Sequence, residues 1–112
     1  MTTALKAGNG TMDFSQVAYK LAAVSELINT PEEARELTRD SYSGIRIVLE
    51  ESAELLLNVD DAPERNLDRQ GYKLLTVAAL IDTPEQAEQI SMDVWSGIRI
   101  NVEEVTEYLL NV

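Results

Sequence analysis

The sequence contains no histidine and no cysteine. Their absence removes the imidazole base, the thiol nucleophile, the soft metal ligand and the disulfide, leaving carboxylates, hydroxyls, lysine and tyrosine as the reactive side chains. Positive charge is scarce as well: 9 Lys and Arg face 20 Asp and Glu over 112 residues, a net charge of −11. Phosphate contacts need Lys and Arg, so this balance argues against direct binding to duplex DNA or an anionic membrane and favours a basic protein as partner. No apolar run reaches the roughly 18–20 residues of a membrane span, and Met1-Thr2-Thr3-Ala4-Leu5-Lys6 lacks the long apolar core of a signal peptide. The expectation is a cytoplasmic protein, with which the lack of cysteine agrees. The hydrophobic fraction, 45%, is that of an ordinary globular domain with a modest core.

What is present is a duplication. At an offset of 53 residues, Tyr19–Val59 aligns with Tyr72–Val112 without a gap, and 23 of the 41 paired positions are identical. Shared landmarks are Thr30-Pro31-Glu32 with Thr83-Pro84-Glu85, Ser43-Gly44-Ile45-Arg46-Ile47 with Ser96-Gly97-Ile98-Arg99-Ile100, and Leu56-Leu57-Asn58-Val59 with Leu109-Leu110-Asn111-Val112. Solenoids need three or more units, so two copies favour one closed domain with a pseudo-twofold axis.

Each copy reads as a short helix followed by a long one. Phe14, Val17, Leu21, Val24 and Ile28 fall at helical spacing, and Leu67, Leu74, Val77 and Ile81 repeat the pattern. A stop and restart follows in Asn29-Thr30-Pro31-Glu32-Glu33 and again in Asp82-Thr83-Pro84-Glu85-Gln86: a capping Thr, Pro at the first helical position, and Glu or Gln closing a capping box. No further proline interrupts Pro31 to Asn58, so the second helix is expected to run roughly 28 residues, about 42 Å. The predicted fold is all-α: four helices near Asp13–Asn29, Thr30–Asn58, Asp68–Asp82 and Thr83–Asn111, forming two tandem αα-hairpin repeats related by a pseudo-twofold. The corresponding boundaries are a flexible N-terminus over 1–12, repeats over 13–59 and 68–112, and a polar linker over 60–67. A competing reading makes Ile98-Arg99-Ile100-Asn101-Val102 a strand, but Ile45-Arg46-Ile47-Val48-Leu49 breaks the alternation.

On a helical wheel the predicted core face of the first long helix carries Ala34, Ser41, Ile45, Val48, Leu49, Ser52 and Leu56. Its counterpart in the second carries Ala87, Val94, Ile98, Asn101, Val102, Val105 and Leu109. The opposite face has drifted less than the core. Asp40, Ser43, Gly44, Ile47, Glu51, Glu54 and Asn58 are matched one for one by Asp93, Ser96, Gly97, Ile100, Glu104, Glu107 and Asn111. Glycine inside a helix costs about 0.5–1 kcal/mol, so keeping Gly44 and Gly97 calls for a compensating reason. One reading has the long helices crossing at Ser43-Gly44 and Ser96-Gly97, with Ile47 and Ile100 filling the contact; contact with a second chain is of the same kind. The others are two equivalent partner-binding sites, or a duplication too recent to have drifted.

A second repeated line runs at i,i+4 steps through Tyr42, Arg46, Glu50 and Glu54, and through Trp95, Arg99, Glu103 and Glu107. The plain reading is a helix-stabilising ladder; the sharper one makes Trp95 and Tyr42 aromatic anchors for a partner, with the second copy the stronger site. The glutamates do not suggest a metal cluster, since di-iron bundles pair Glu with His, and there is no Gly-rich phosphate loop. Neither a cofactor nor a catalytic constellation is expected, and the protein reads as a non-enzyme. Residues 74–112 carry a net −6 and residues 1–73 a net −5, so the second copy is the denser acidic surface. The functional expectation is a helical binding module acting as inhibitor or decoy on a basic, nucleic-acid-binding protein. The alternative is a structural or oligomerising protein that uses the repeated face internally. Apolar residues at the ends of the long helices, Leu55-Leu56-Leu57 and Tyr108-Leu109-Leu110, further suggest a homodimer.

Overall fold

A computed structural model describes residues 4–7 and 10–112. Two short strands, β1 (Ala4–Ala7) and β2 (Gly10–Asp13), pair antiparallel with Ala4 opposite Asp13 and Ala7 opposite Gly10. Of the N-terminal stretch expected to be flexible, Met1–Thr3, Gly8 and Asn9 lie outside the described residues. The rest of the fold is helical: α1 (Phe14–Leu27), α2 (Pro31–Arg35), α3 (Arg39–Leu57), α4 (Leu67–Leu80), α5 (Pro84–Glu88) and α6 (Met92–Leu110). The all-α class holds for the body of the domain, and Ile98–Val102 lies within α6 rather than in a strand.

The expected long helices are each divided in two. Thr30 and Thr83 start α2 and α5 as the sequence suggests, their hydroxyls accepting from Glu33 N and Gln86 N. The reciprocal half of the capping box is made in the second copy, where Gln86 Oε1 accepts from Thr83 N at 3.2 Å. In the first copy Glu33 instead accepts from the Thr30 hydroxyl. After one turn the chain leaves the helix and restarts at a second cap. Thr38 is extended (φ −76°, ψ 163°) and accepts from Ser41 N at 3.1 Å; Ser91 does the same for Val94 N at 3.3 Å. The true long helices α3 and α6 therefore hold 19 residues each, about 28 Å.

The helix pairing also departs from tandem hairpins. Within each copy the first helix does not pack mainly on its own long helix: α1 packs on α6 and α4 packs on α3, while α2 lies against α6 and α5 against α3. Each first helix thus completes the core of the other copy. Both main pairs are antiparallel. Arg39 at the start of α3 bonds Glu85 and Glu88 beyond the end of α4, and Phe14 at the start of α1 and Tyr108 near the end of α6 both meet Arg65.

The core obeys the pseudo-twofold residue by residue. Phe14, Leu21 and Ile28 pair with Leu67, Leu74 and Ile81 at the same offset of 53, and Tyr42, Leu49 and Leu56 pair with Trp95, Val102 and Leu109. All twelve are at most 2% exposed, and each triplet is spaced by seven residues. A seven-residue step returns to nearly the same face of a helix, so each helix presents one continuous apolar stripe. The connection between α3 and α4 is part of this core: Val59 and Ala62 are buried, and the Ala62 carbonyl accepts from Leu67 N at 2.7 Å. Asn66 there adopts the left-handed conformation (φ 58°) that lets the chain turn into α4.

Close backbone approach occurs at Gly71, not at the glycines the duplication retains. A Cβ on Gly71 would lie 2.9 Å from Leu57 Cγ and 3.2 Å from the Ala53 carbonyl oxygen, so α4 sits tightly on the last turns of α3. A Cβ on Gly44 or Gly97 would meet nothing within 4 Å among the described residues. The expected crossing of α3 and α6 at Ser43-Gly44 and Ser96-Gly97 is therefore not made, and Ile47 and Ile100 stay 45% and 47% exposed.

Candidate partner-binding site

The i,i+4 line through each long helix spirals from the interior to the surface. Four residues advance a helix by about 40° beyond one full turn, so three such steps rotate the line by about 120°. Its aromatic end is inside. Tyr42 and Trp95 are each 1% exposed and stack on one another across the pseudo-twofold, ring centroids 6.0 Å apart and planes 19° from parallel. The reading of Trp95 and Tyr42 as surface anchors is corrected accordingly: in this fold they are central core residues. The Tyr42 hydroxyl donates to the Ala34 carbonyl oxygen at 2.6 Å, tying α3 to α2. Burial raises the phenol above its usual pKa of 10, the nearby Glu88 adds to the rise and Arg35 opposes it. Trp95 Nε1, at the equivalent place, has no partner among the described residues.

The middle of the line is the expected ladder. Arg46 bonds Glu50 at 2.9 Å and Arg99 bonds Glu103 at 2.8 Å, both half-buried. Its far end, Glu54 and Glu107, is in solvent.

Two members of the retained outer face have local reasons to persist. Asp40 and Asp93 lie in the first turn of α3 and α6, where a carboxylate complements the helix dipole. Asn58 and Asn111 are the C-caps, and their Nδ2 atoms donate to the Glu54 and Glu107 carbonyl oxygens at 2.8 Å. Glu104 pairs with Lys73, but Ser43, Gly44, Ile47, Glu51 and Glu54, with Ser96, Gly97, Ile100 and Glu107, have no such account among the described residues.

On α6 this outer face becomes one wall of a groove of about 730 Å³, formed by Ile100, Glu103, Glu104, Thr106 and Glu107. The opposite wall comes from Ala22, Ser25, Glu26 and Asn29 of α1 and its following turn, and from Glu33 of α2. Five glutamates line the groove and no Lys or Arg does. Glu103 is paired with Arg99 and Glu104 with Lys73 at 3.7 Å, whereas Glu26 and Glu107 have no ion pair among the described residues. Ser25 is 8% exposed and its Oγ has no hydrogen-bond partner among the described residues.

Of the residues singled out from the sequence, the structure brings Ile100, Glu103 and Glu107 together at this groove. Arg99 stands behind them and Trp95 lies within the core; Arg46, Glu50 and Glu54 lie on α3. The α1 wall was not foreseen. Its signal was available as the loss of apolar character between copies, Leu75 to Ala22 and Ala78 to Ser25, but it means something only once α1 is known to pack on α6.

Among the described residues no group of three or more acidic side chains is arranged to hold a metal ion, and no helix is long and apolar enough to cross a membrane. The class defined by fold and site is an acidic, internally duplicated helical domain with a glutamate-lined groove between α1 and α6. No protein-family model matches the chain, and neither does any curated protein or any solved structure.

Proposed function

We propose that the chain is a non-enzymatic acidic helical module that binds a basic protein through the outer face of its long helices. The observation that supports this reading is the fate of the retained face: Ile47 and Ile100 are identical between copies and nearly half exposed, beside glycines with open space around them. A duplicated chain that keeps apolar side chains at the surface, ringed by glutamates, has the make-up of a contact patch with a charge-complementary partner. With a net charge of −11, the favoured use is to occupy the basic surface of a nucleic-acid-binding protein as inhibitor or decoy.

The second reading is self-association through the same face. It is favoured on that face by Ile47 with Ile100, and on α1 and α4 by two further exposed apolar pairs identical between copies, Tyr19 with Tyr72 and Leu27 with Leu80. The helix ends offer it less than the sequence implied, because Leu56 and Leu109 are buried within the chain and Leu55 and Leu110 remain exposed.

Affinity capture from the native host with the wild type and an Ile47→Lys/Ile100→Lys variant as baits, alongside sedimentation of each alone, tests the proposal. The expected result is a basic protein retained by the wild type and lost by the variant, with the same monomeric sedimentation for both. A wild-type dimer that the variant converts to monomer, with no basic protein retained, overturns it in favour of self-association.

A further inference from the structure

The two copies differ at the wall facing the long helix. Around α6 the groove has Ala22, Ser25, Glu26 and Glu33; the equivalent positions facing α3 are Leu75, Ala78, Ala79 and Gln86. One half thus has a hydroxyl and two carboxylates that the other lacks, an amide, Asn29, where the other has the carboxylate of Asp82, and alanine in place of a leucine; on the long-helix wall Ile100, Glu103, Glu104 and Glu107 match Ile47, Glu50, Glu51 and Glu54, and Thr106 stands for Ala53. Ser25 lines the groove, and a serine hydroxyl that is more than nine-tenths buried and without a partner among the described residues is costly unless something satisfies it; the same groove holds Glu26 and Glu107, which make no ion pair among the described residues.

We infer that this groove is a receptor for arginine side chains of the basic partner, one half of the pseudo-symmetric molecule having been specialised for it. The inference rests on the binding-module reading above and names the site and the recognised chemistry. A guanidinium offers five donors in a fixed fork and no acceptor, which suits a groove whose polar groups are carboxylates, a hydroxyl and the Asn29 amide. Its weakly hydrated face and methylene stem suit Ala22 and Ile100, which give the same groove apolar surface. The five glutamates supply the attraction; the space left by alanine in place of leucine supplies the fit.

Fluorescence anisotropy with labelled hexa-arginine at 150 mM salt, using the full chain, separates fit from attraction. Ala22→Leu copies the residue of the other half and changes no charge; it is expected to weaken binding tenfold or more while the melting temperature and circular dichroism stay at wild-type values. Glu104→Gln/Glu107→Gln and Glu51→Gln/Glu54→Gln remove the same charge from equivalent places. The first pair is expected to weaken binding at least tenfold and the second less than threefold. If the two pairs lose affinity equally and Ala22→Leu binds as the wild type does, the groove is overturned as the site while the basic-partner reading stands. Failure of hexa-arginine to bind the wild type overturns both. Equal affinity for hexa-lysine overturns the preference for guanidinium.

Discussion

The two halves of the molecule share a frame and differ in what hangs on it. At the six core pairs the leucine and isoleucine positions 21/74, 28/81 and 56/109 are unchanged, while Phe14 corresponds to Leu67, Leu49 to Val102 and Tyr42 to Trp95. These exchanges move volume from one half to the other and leave the stripe apolar, which is what a packed interior tolerates. Outside the core the halves part company: Arg39 bonds Glu85 and Glu88, yet Met92 stands at its equivalent place and makes no ion pair. The comparison teaches that the duplication preserved caps, core registers and the outer face of the long helices, and that chemistry diverged on the shorter helices and at the starts of the long ones.

The largest break in the comparison is expected at its centre. Trp95→Ala empties the larger ring of the stacked pair and is expected to cost about 3–5 kcal/mol, lowering the melting temperature by more than about 10 °C in thermal circular dichroism. Glycine exchange inverts the ranking that the duplication alone implies. Gly71→Ala drives a methyl into Leu57 and the Ala53 carbonyl and is expected to destabilise by about 1–2 kcal/mol, although Ala18 is tolerated at the equivalent place. Gly44→Ala and Gly97→Ala meet open space and are expected to stabilise by about 0.5–1 kcal/mol each, read from urea midpoints.

A finer contrast is set by pH. Tyr42→Phe removes the buried hydrogen bond to Ala34 and is expected to cost about 1 kcal/mol at neutral pH. The folded-state pKa of Tyr42 is raised, so the neutral phenol is what the fold favours; its contribution is complete below pH 10 and is lost as pH rises through the folded value. The stability gap between wild type and variant should therefore narrow above pH 10, as measured by urea unfolding at stepped pH. The smallest effects are expected from Arg46→Ala and Arg99→Ala, about 0.3–0.5 kcal/mol each, equal in the two halves and abolished in 1 M salt.

Much of the fold was legible locally. Thr30 and Thr83 mark real helix starts, and the heptad positions from Phe14 to Ile28 and from Leu67 to Ile81 are buried as their spacing implies. An unbroken helix from Pro31 to Asn58 and its copy place Thr38 and Ser91 in helix interiors, yet each is followed by Asp at the second helical position, Asp40 and Asp93, which is the mark of a new N-terminus. That shift is about one residue on the wheel, enough to bring Tyr42 and Trp95 inward and leave Val94 and Asn101 outside. Which helix covers which was not written in any local pattern, because both long helices carry the same stripe. The α6 wall of the groove was therefore visible as a retained face, and the α1 wall was not.

The pairing of α1 with α6 joins the first and last helices of the chain. The α3–α4 pair closes across a short connection, whereas the α1–α6 seam must bring together segments separated by nearly the whole polypeptide, and the entropy of closing that long loop has to be met before its contacts form. The groove lies along this seam, with Ala22 on one lip and Ile100 on the other. Its assembly therefore reports on completion of the fold: a nascent or nicked chain that has built only α3 on α4 has not brought the two walls of the groove together, so the proposed recognition would be reserved for the folded whole.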